Sequence, residues 1–193
     1  MNTIQNGEIQ ELIIKKSKFI SIALNVNSVL ECENNLKKFR NEYSDCTHLT
    51  FAYCVGSLER CSDDGEPSGT AGKPLLNIIK QKKLTNVLLI VIRYFGGIKL
   101  GAGGLVRAYT ESGVLALENA KIVELKNMTE ISFHIDFQQA FNIYVLSNFG
   151  DFKITERVGN DFIIECEKNK LDIVKKEISK FNISNLEIKE VIK

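Results

Sequence analysis

The sequence predicts an α+β protein with two domains, and three observations lead to this prediction. Residues 127–193 show the order β-α-β-β-α-β, which is the ferredoxin-like arrangement. Residues 1–126 mix strand-like and helix-like segments around one uninterrupted apolar run at 86–95, which is typical of a strand covered on both faces. The segment near residue 127 is not rich in Pro, Gly or Ser, so we expect a domain boundary there without a flexible linker.

The amino-terminal domain, residues 1–126, has helices with recognisable starts. Ser28 is followed three residues later by Glu31, as in a capping box, and this pair predicts a helix that ends near Tyr43. Pro74 suits the first turn of a second helix. The predicted elements, in order, are a strand pair within 8–26, a helix at 28–43, a strand at 49–56, a helix from 74, a strand at 86–95 and a helix directly after the glycines of 96–104.

The carboxyl-terminal domain, residues 127–193, has a different rhythm of short alternating strands and two helices. Asp136 with Gln139, and Asn169 before Leu171, supply helix starts. The predicted elements are a strand at 129–136, a helix at 137–150, strands at 151–159 and 161–168, a helix at 169–182 and a strand at 184–193.

Composition excludes several classes of protein. The 25 Lys and Arg residues nearly balance the 24 Asp and Glu residues, so any contact with nucleic acid must come from a local patch rather than from overall charge. No apolar run approaches the roughly 20 residues of a membrane span, and the first ten residues lack the features of a secretion signal. We therefore expect a cytoplasmic protein without membrane contact, whose five cysteines are free thiols.

Two loops carry the chemistry that the sequence offers. The segments SDDGEPSGTAGKP at 62–74 and RYFGGIKLGAGGLVRA at 93–108 each run into the start of a helix, where free amide groups and partial positive charge favour an anion. We expect adjacent strands to bring the two loops together. The predicted anion or nucleic-acid site consists of Arg93, Tyr94, Gly96, Gly97, Lys99, Gly101, Gly103, Gly104 and Arg107 in the second loop and Gly69, Thr70, Gly72 and Lys73 in the first.

Neither of the named phosphate-binding motifs is present. A Walker loop requires glycine where this chain has Pro67 and a hydroxyl residue where it has Pro74. A dinucleotide fingerprint requires a third glycine where this chain has Val106. The glycines therefore form another kind of anion-binding loop, or they serve only as turns.

The acidic residues of the first loop allow two interpretations. Asp63 and Asp64 can pair with Arg60 or Arg93 and so fix the loop, or Asp63, Asp64 and Glu66 can hold a divalent metal ion. The sequence predicts no resident cofactor and no zinc site, since Cys46, His48, Cys54 and Cys61 match no standard ligand spacing. His48 has no identifiable catalytic partner in the sequence and is interpreted as structural, as is His134.

These motifs resemble those of a known family. The segments SDDGEPSGTAGKP and RYFGGIKLGAGGLVRAY together resemble the paired signatures of the YigZ/IMPACT family, and THLTFAY at 47–53 resembles the strand that precedes them. The resemblance spans most of residues 15–120. Leu49 and Thr50 stand where the family often has Asn and Cys, so thiol chemistry is not expected there.

The resemblance implies a fold and a cellular setting. It implies that the amino-terminal domain has the fold shared by the second domain of a small-subunit ribosomal protein and the GHMP kinases, and that the carboxyl-terminal domain is similar to the last domain of elongation factor G. Eukaryotic IMPACT relatives are linked to translational control during amino-acid starvation. Because function resides in sites rather than folds, these analogies set only an expectation.

Three functions follow as hypotheses. The first is a cytosolic, translation-associated regulator that binds RNA or a ribosomal surface at the glycine-rich helix starts, with Arg93, Lys99 and Arg107 on the phosphates and Tyr94 and Phe95 stacking on bases. The second is an enzyme that acts on a phosphorylated small molecule with a divalent ion. The third is a protein-interaction module, which would present an apolar surface patch.

Overall fold

A computed structural model describes residues 2–136, 143 and 150–192 of the chain. The chain divides into two compact units, Met1–Glu124 and Leu125–Lys193. The elements of the first unit are β1 (Asn2–Ile4), β2 (Gln10–Ile14), β3 (Ser17–Asn25), α1 (Val29–Glu42), β4 (His48–Val55), β5 (Leu58–Ser62), α2 (Gly72–Gln81), β6 (Val87–Tyr94), α3 (Ala102–Asn119) and β7 (Ile122–Glu124).

The first unit is built on an antiparallel sheet with the strand order β2-β3-β6-β4-β5. Strand β6 lies in the middle and its residues from Val87 to Arg93 are all buried, which confirms the prediction of a strand covered on both faces. Alternate side chains of β6 point to opposite faces of the sheet. Leu89 and Val91 pack in a core with α2 and α3, whereas Ile90 and Ile92 pack in a core with α1. Arg93 therefore continues the α2–α3 face.

The start of α1 follows the predicted capping box. The Ser28 side chain accepts a hydrogen bond from the Glu31 amide, and the Glu31 carboxylate accepts one from the Asn27 amide. Strands β5, β1 and β7 were not expected from the sequence. The residues of β5 are polar and largely exposed, so its pairing with β4 defines the strand and its own pattern does not.

Strands β2 and β3 form the expected hairpin, and its turn has an unusual backbone. Ile14 pairs with Ser17, which leaves the two-residue turn Lys15–Lys16. Both lysines have positive φ, 45° and 65°, as a type I′ turn requires. Asn-Gly is the usual sequence of such a turn, because residues with a Cβ, lysine included, rarely adopt positive φ. The turn presents two adjacent exposed lysines.

The second unit consists of β8 (Asn127–Ile135), β9 (Phe152–Val158), β10 (Asp161–Glu167), α4 (Leu171–Ile178), which follows a short 3₁₀ turn, and β11 (Ile183–Ile192). Its antiparallel sheet has the order β11-β8-β10-β9, which is the ferredoxin-like order and confirms the predicted fold class. Stacked rings of Phe133 and Phe162 lie in its core, with centroids 5.9 Å apart. The helix predicted at 137–150 lies almost entirely outside the described residues.

No helix in the described part of the chain is long and apolar enough to cross a membrane.

Candidate functional site

The two predicted loops leave the five-stranded sheet at the same end. Because neighbouring strands are antiparallel, the ends of β5 and β6 lie beside the starts of β3 and β4. The loop after β5 leads into α2, and the loop after β6 leads into α3. Residues of both loops, Glu66 and Pro67 from the first and Lys99 to Ala102 from the second, line one cavity. The expected convergence of the loops is therefore present.

Arg93 is the buried centre of this end of the sheet. It is only 5% exposed, and it pairs laterally with Phe19 on β3 and His48 on β4. Its Nη1 donates to Oε1 of Glu66 at 2.6 Å, and its Nη2 donates to the Ser17 hydroxyl at 3.3 Å. The guanidinium also lies 5.5 Å from the ring centroid of Phe19. Arg93 was predicted to contact a phosphate, but its guanidinium forms a buried ion pair with Glu66.

Glu66 forms the acidic half of this buried cluster. Its side chain is 3% exposed, and Oε1 accepts hydrogen bonds from Arg93 and from the Tyr109 hydroxyl, the latter at 2.7 Å. The Nε2 atom of His48 lies 3.9 Å from the same oxygen. Burial, followed by the hydrogen bond and charge of Glu66, raises the pKa of Tyr109 well above its ordinary value, so the phenol is a neutral donor. Tyr109 was not identified from the sequence.

The start of α2 is satisfied by the protein itself. Oδ1 of Asp63 accepts hydrogen bonds from the amides of Ala71 and Gly72 at 3.0 and 2.8 Å, and Oδ2 accepts one from Gly69 at 2.8 Å. Thr70 is buried, and its hydroxyl donates to the Pro67 carbonyl. Gly69, Thr70 and Gly72 were predicted to receive an external anion, but the Asp63 carboxylate already occupies that position. Lys73 remains exposed.

The Asp63 carboxylate gives a prediction for stability. Burial alone raises the pKa of Asp63, but the three amide hydrogen bonds outweigh it and hold the pKa below its ordinary value. The stabilisation is therefore complete above the unfolded pKa of about 4 and is lost as the pH falls through the lower folded pKa. We expect Asp63→Asn to lower the free energy of unfolding by about 1–3 kcal/mol at neutral pH.

Urea denaturation of the two proteins at neutral pH and at successively lower pH measures this effect. The difference between wild type and Asp63→Asn is expected to shrink as the wild-type carboxylate protonates. Glu33→Gln, an exposed change on α1, serves as a control and is expected to change stability by less than about 0.5 kcal/mol. An Asp63→Asn difference that stays constant down to acid pH would contradict the charge-based account.

Asp64 fixes the same loop to the opposite face of the sheet. Its carboxylate accepts two hydrogen bonds from Arg40, each 2.9 Å long, and one from the Leu49 amide. Its partner is thus neither Arg60 nor Arg93, as the sequence had allowed. Burial raises the pKa of Asp64, yet the Arg40 and Leu49 hydrogen bonds outweigh it and lower the pKa overall. The backbone carbonyl of Asp64 lies 2.8 Å from Nδ1 of His48 and so orients that ring.

The acidic residues of the loop do not converge on one point. Asp63 contacts helix amides, Asp64 contacts Arg40, and Glu66 contacts Arg93. Within the described residues, no group of three or more His, Cys, Asp or Glu side chains is arranged to hold a metal ion. All five cysteines are free thiols. Partial burial of the Cys61 sulfur, followed by the charge of Asp63, raises the pKa of this thiol.

The start of α3 differs from the start of α2, because no side chain caps it. Gly101 is the N-cap with φ 72°, a backbone conformation that favours glycine, and the first turn contains no acidic residue. The Leu105 amide bonds to the Gly101 carbonyl. The amides of Ala102, Gly103 and Gly104 have no hydrogen-bond acceptor in the part of the chain that the structure describes. We call these three amides the open amide end of α3.

Exposed cations lie in the loop before the open amide end, in the following helical turn, and in the β2–β3 turn that packs on this loop. Lys99 lies in the loop just before it, and Arg107 lies one helical turn after Gly103 on the same helix face. The backbone of the Lys15–Lys16 turn packs directly against Gly96, so closely that no side chain fits at that position. The sequence showed this lysine pair but could not place it, since the pair and Gly96 are distant along the chain.

The two aromatic residues of the second loop have separate positions. The Tyr94 ring packs against the core on the α1 side, and its hydroxyl donates to Asp45 at 2.8 Å. That hydrogen bond, followed by burial, raises the pKa of Tyr94 to about 12. Tyr94 and Phe95 were both predicted to stack on bases, but the Tyr94 ring packs on the α1 side of the sheet, and of the two only Phe95 lies at the cavity of the second loop. Phe95 is 45% exposed, and the Arg93 guanidinium lies 5.4 Å from its ring centroid.

Comparison with known proteins identifies the relatives of this chain. The Impact N-terminal domain matches residues 15–117. The IMPACT family member YvyE of Bacillus subtilis is 38% identical over 138 residues, which is 70% of this chain and 64% of YvyE. The chain thus spans a little under two thirds of that relative. The IMPACT family member YigZ of Escherichia coli is 33% identical over 156 residues, covering 78% of this chain and 76% of YigZ.

One solved structure resembles the whole chain. It is described as the crystal structure of a hypothetical protein, and it aligns with a TM-score of 0.71 and 27% identity over 97% of this chain and 95% of that one. The two-domain α+β architecture is therefore shared with a solved structure.

Proposed function

The chain belongs to the IMPACT family, and on this premise we propose that it is a cytosolic, translation-associated regulator that binds single-stranded RNA, including RNA at a ribosomal surface. The link of eukaryotic family members to translational control supports the cellular setting. The proposed binding surface is the open amide end of α3 together with Lys99, Arg107 and the Lys15–Lys16 turn.

The observation that carries this proposal is the contrast between two helix starts at one end of one sheet. At the start of α2 the amides of Ala71 and Gly72 donate to the Asp63 carboxylate, whereas at the start of α3 no carboxylate accepts from the amides of Ala102, Gly103 and Gly104 among the described residues. Free amides at a helix start, together with the helix dipole, form a binding position for a phosphate group. The RNA backbone would supply at α3 the negative charge that Asp63 supplies at α2.

The surrounding charges support the same ligand. Lys15, Lys16, Lys99 and Arg107 form no ion pair with any residue that the structure describes, whereas nearby Lys18 pairs with Glu11 at 2.7 Å. A net charge of +1 gives no general attraction to RNA, so this local group would have to provide it. The exposed ring of Phe95 adds a surface on which a base can stack.

Alanine substitution of the two loop cations tests the proposal. We expect Lys99→Ala and Arg107→Ala each to weaken binding of a labelled single-stranded RNA of mixed sequence, and each to reduce the slope of log K against log salt by about 0.7, the value for one lost phosphate contact. Fluorescence anisotropy across a potassium chloride series measures both quantities.

Lys38→Ala is the matched control. Lys38 is an exposed lysine on α1, which covers the opposite face of the sheet, and its loss is expected to leave both affinity and slope unchanged. If the three variants bind RNA alike, or if the wild type does not bind RNA, the proposed function is wrong.

A further inference from the structure

A cavity adjoins the open amide end of α3. Its volume is about 350 Å³, which lies at the lower end of the range for small-ligand sites. The apolar part of its wall comes from Pro67, Phe95, Leu100 and Leu105. Lys99, Gly101 and Ala102 also line it, so the cavity opens beside the position proposed for a phosphate.

Two buried polar groups on the cavity wall lack a full set of partners. Glu66 and Arg93 both line the cavity, and they are only 8% and 5% exposed. Both short contacts of Glu66, from Arg93 and Tyr109, go to Oε1, and Oε2 has no hydrogen-bond donor among the described residues. The Nε of Arg93 is fully buried and has no acceptor among the described residues. A carboxylate oxygen without a donor on the wall of a cavity favours a ligand that carries a hydrogen-bond donor on its edge.

The walls and the polar edge together define a ligand class. Apolar side chains and a half-exposed aromatic ring suit a flat, weakly polar group, and the carboxylate requires a donor on the edge of that group. The proposed phosphate position lies next to the cavity. A nucleotide combines these three features, and the exocyclic amino groups of cytosine and adenine are donors that a carboxylate accepts. Single-stranded RNA exposes such base edges when its bases are splayed apart.

We propose that this cavity receives one base of the bound RNA, that the base carries an exocyclic amino group, and that this amino group donates to Oε2 of Glu66. The inference rests on the proposed function, because the attached phosphate is placed at the open amide end of α3. Glu66 is then a specificity residue held in position by Arg93 and Tyr109. The Arg93–Glu66 pair gives the carboxylate a fixed orientation.

Mononucleotides that differ by one amino group test this inference on the unmodified protein. Adenosine monophosphate is compared with purine riboside monophosphate, and cytidine monophosphate with its analogue lacking the 4-amino group, by titration calorimetry or by chemical-shift changes of the Gly101–Gly104 amides. We expect at least one nucleotide to bind about fivefold or more tightly than its counterpart, since a base-edge hydrogen bond discriminates by at least this factor.

Glu66→Gln provides a second readout. The glutamine amide oxygen can still accept hydrogen bonds from Arg93 and Tyr109. The glutamine NH₂ group, a donor, then takes the place of Oε2, the proposed acceptor for the base. A folded Glu66→Gln protein is therefore expected to bind each nucleotide and its amino-free counterpart with about equal affinity. If this variant does not fold, the comparison of nucleotides on the wild type still decides the question.

The outcomes separate the two proposals. RNA binding that depends on Lys99 and Arg107, combined with equal affinity for each nucleotide and its amino-free counterpart, overturns the base pocket and leaves the RNA function intact. Nucleotides that bind no better than ribose 5-phosphate also overturn the base pocket. Absence of RNA binding by the wild type overturns the proposed function itself.

Discussion

Arg93→Met is expected to lower the free energy of unfolding by about 3–5 kcal/mol, the cost of leaving one charge of a buried ion pair without its partner. The Glu66 side chain is 3% exposed and the Arg93 side chain 6%, so water solvates the remaining carboxylate less well than at the protein surface. Methionine fills much of the same volume, so the effect arises mainly from the charge of Glu66 rather than from a cavity. Urea denaturation followed by circular dichroism measures the change.

An exposed ion pair of similar geometry is the matched control. Lys80 donates to Glu59 at 2.9 Å, but the two side chains are 54% and 39% exposed. Lys80→Met is expected to change stability far less than Arg93→Met does, because water solvates the remaining carboxylate. Equal effects of Arg93→Met and Lys80→Met would show that burial does not set the energetics of the Arg93–Glu66 pair.

The double variant Arg93→Met with Glu66→Leu separates the charge from the packing. Replacing both members of a buried pair by apolar residues is often nearly neutral, so stability is expected to recover toward the wild type. The recovery is expected to be partial, since the Tyr109 hydroxyl loses its acceptor. A double variant that is less stable than Arg93→Met would contradict this account.

The fold was largely predictable because its signals are local. The apolar run of β6, the Ser28–Glu31 capping box and the strand and helix rhythm of the second unit each lie within a short segment. Strand β5 was missed, because its residues are polar and its pairing with β4 defines the strand. Local periodicity predicts an element when the element buries its own face, and it fails for an edge strand that does not.

The candidate site was predictable in position but not in its internal pairing. The sequence predicted that adjacent strands bring the loops together, but it did not predict the antiparallel order, in which β4 separates β5 from β6. The pairing of Glu66 with Arg93 and Tyr109 joins residues 27 and 43 positions apart, and no sequence spacing encodes it. Asp63 was identified as an acidic loop residue. The amides that donate to its carboxylate lie six to nine residues further along the chain, outside the spacing of a standard helix cap.

The glycine-rich loop has one position where glycine is required by close packing. A Cβ at Gly96 would overlap the carbonyl group of Lys16, a backbone group that cannot rotate away. The Gly96 amide also donates to the Ser17 hydroxyl, which accepts a hydrogen bond from buried Arg93. Gly96→Ala is therefore expected to move the β2–β3 turn away from the loop and to lower the free energy of unfolding by about 3 kcal/mol, the upper end of the usual overpacking cost.

Gly103→Ala in the same loop-to-helix segment is the control for this prediction. A Cβ at Gly103 meets no atom within 4 Å, and the residue lies in the first turn of α3. Alanine is the better helix former by up to about 1 kcal/mol, so stability is expected to be unchanged or slightly raised. Urea denaturation compares the two variants directly. If Gly96→Ala is as stable as Gly103→Ala, the Lys15–Lys16 turn does not pack on the loop, and its lysines cannot be assigned to the proposed RNA surface.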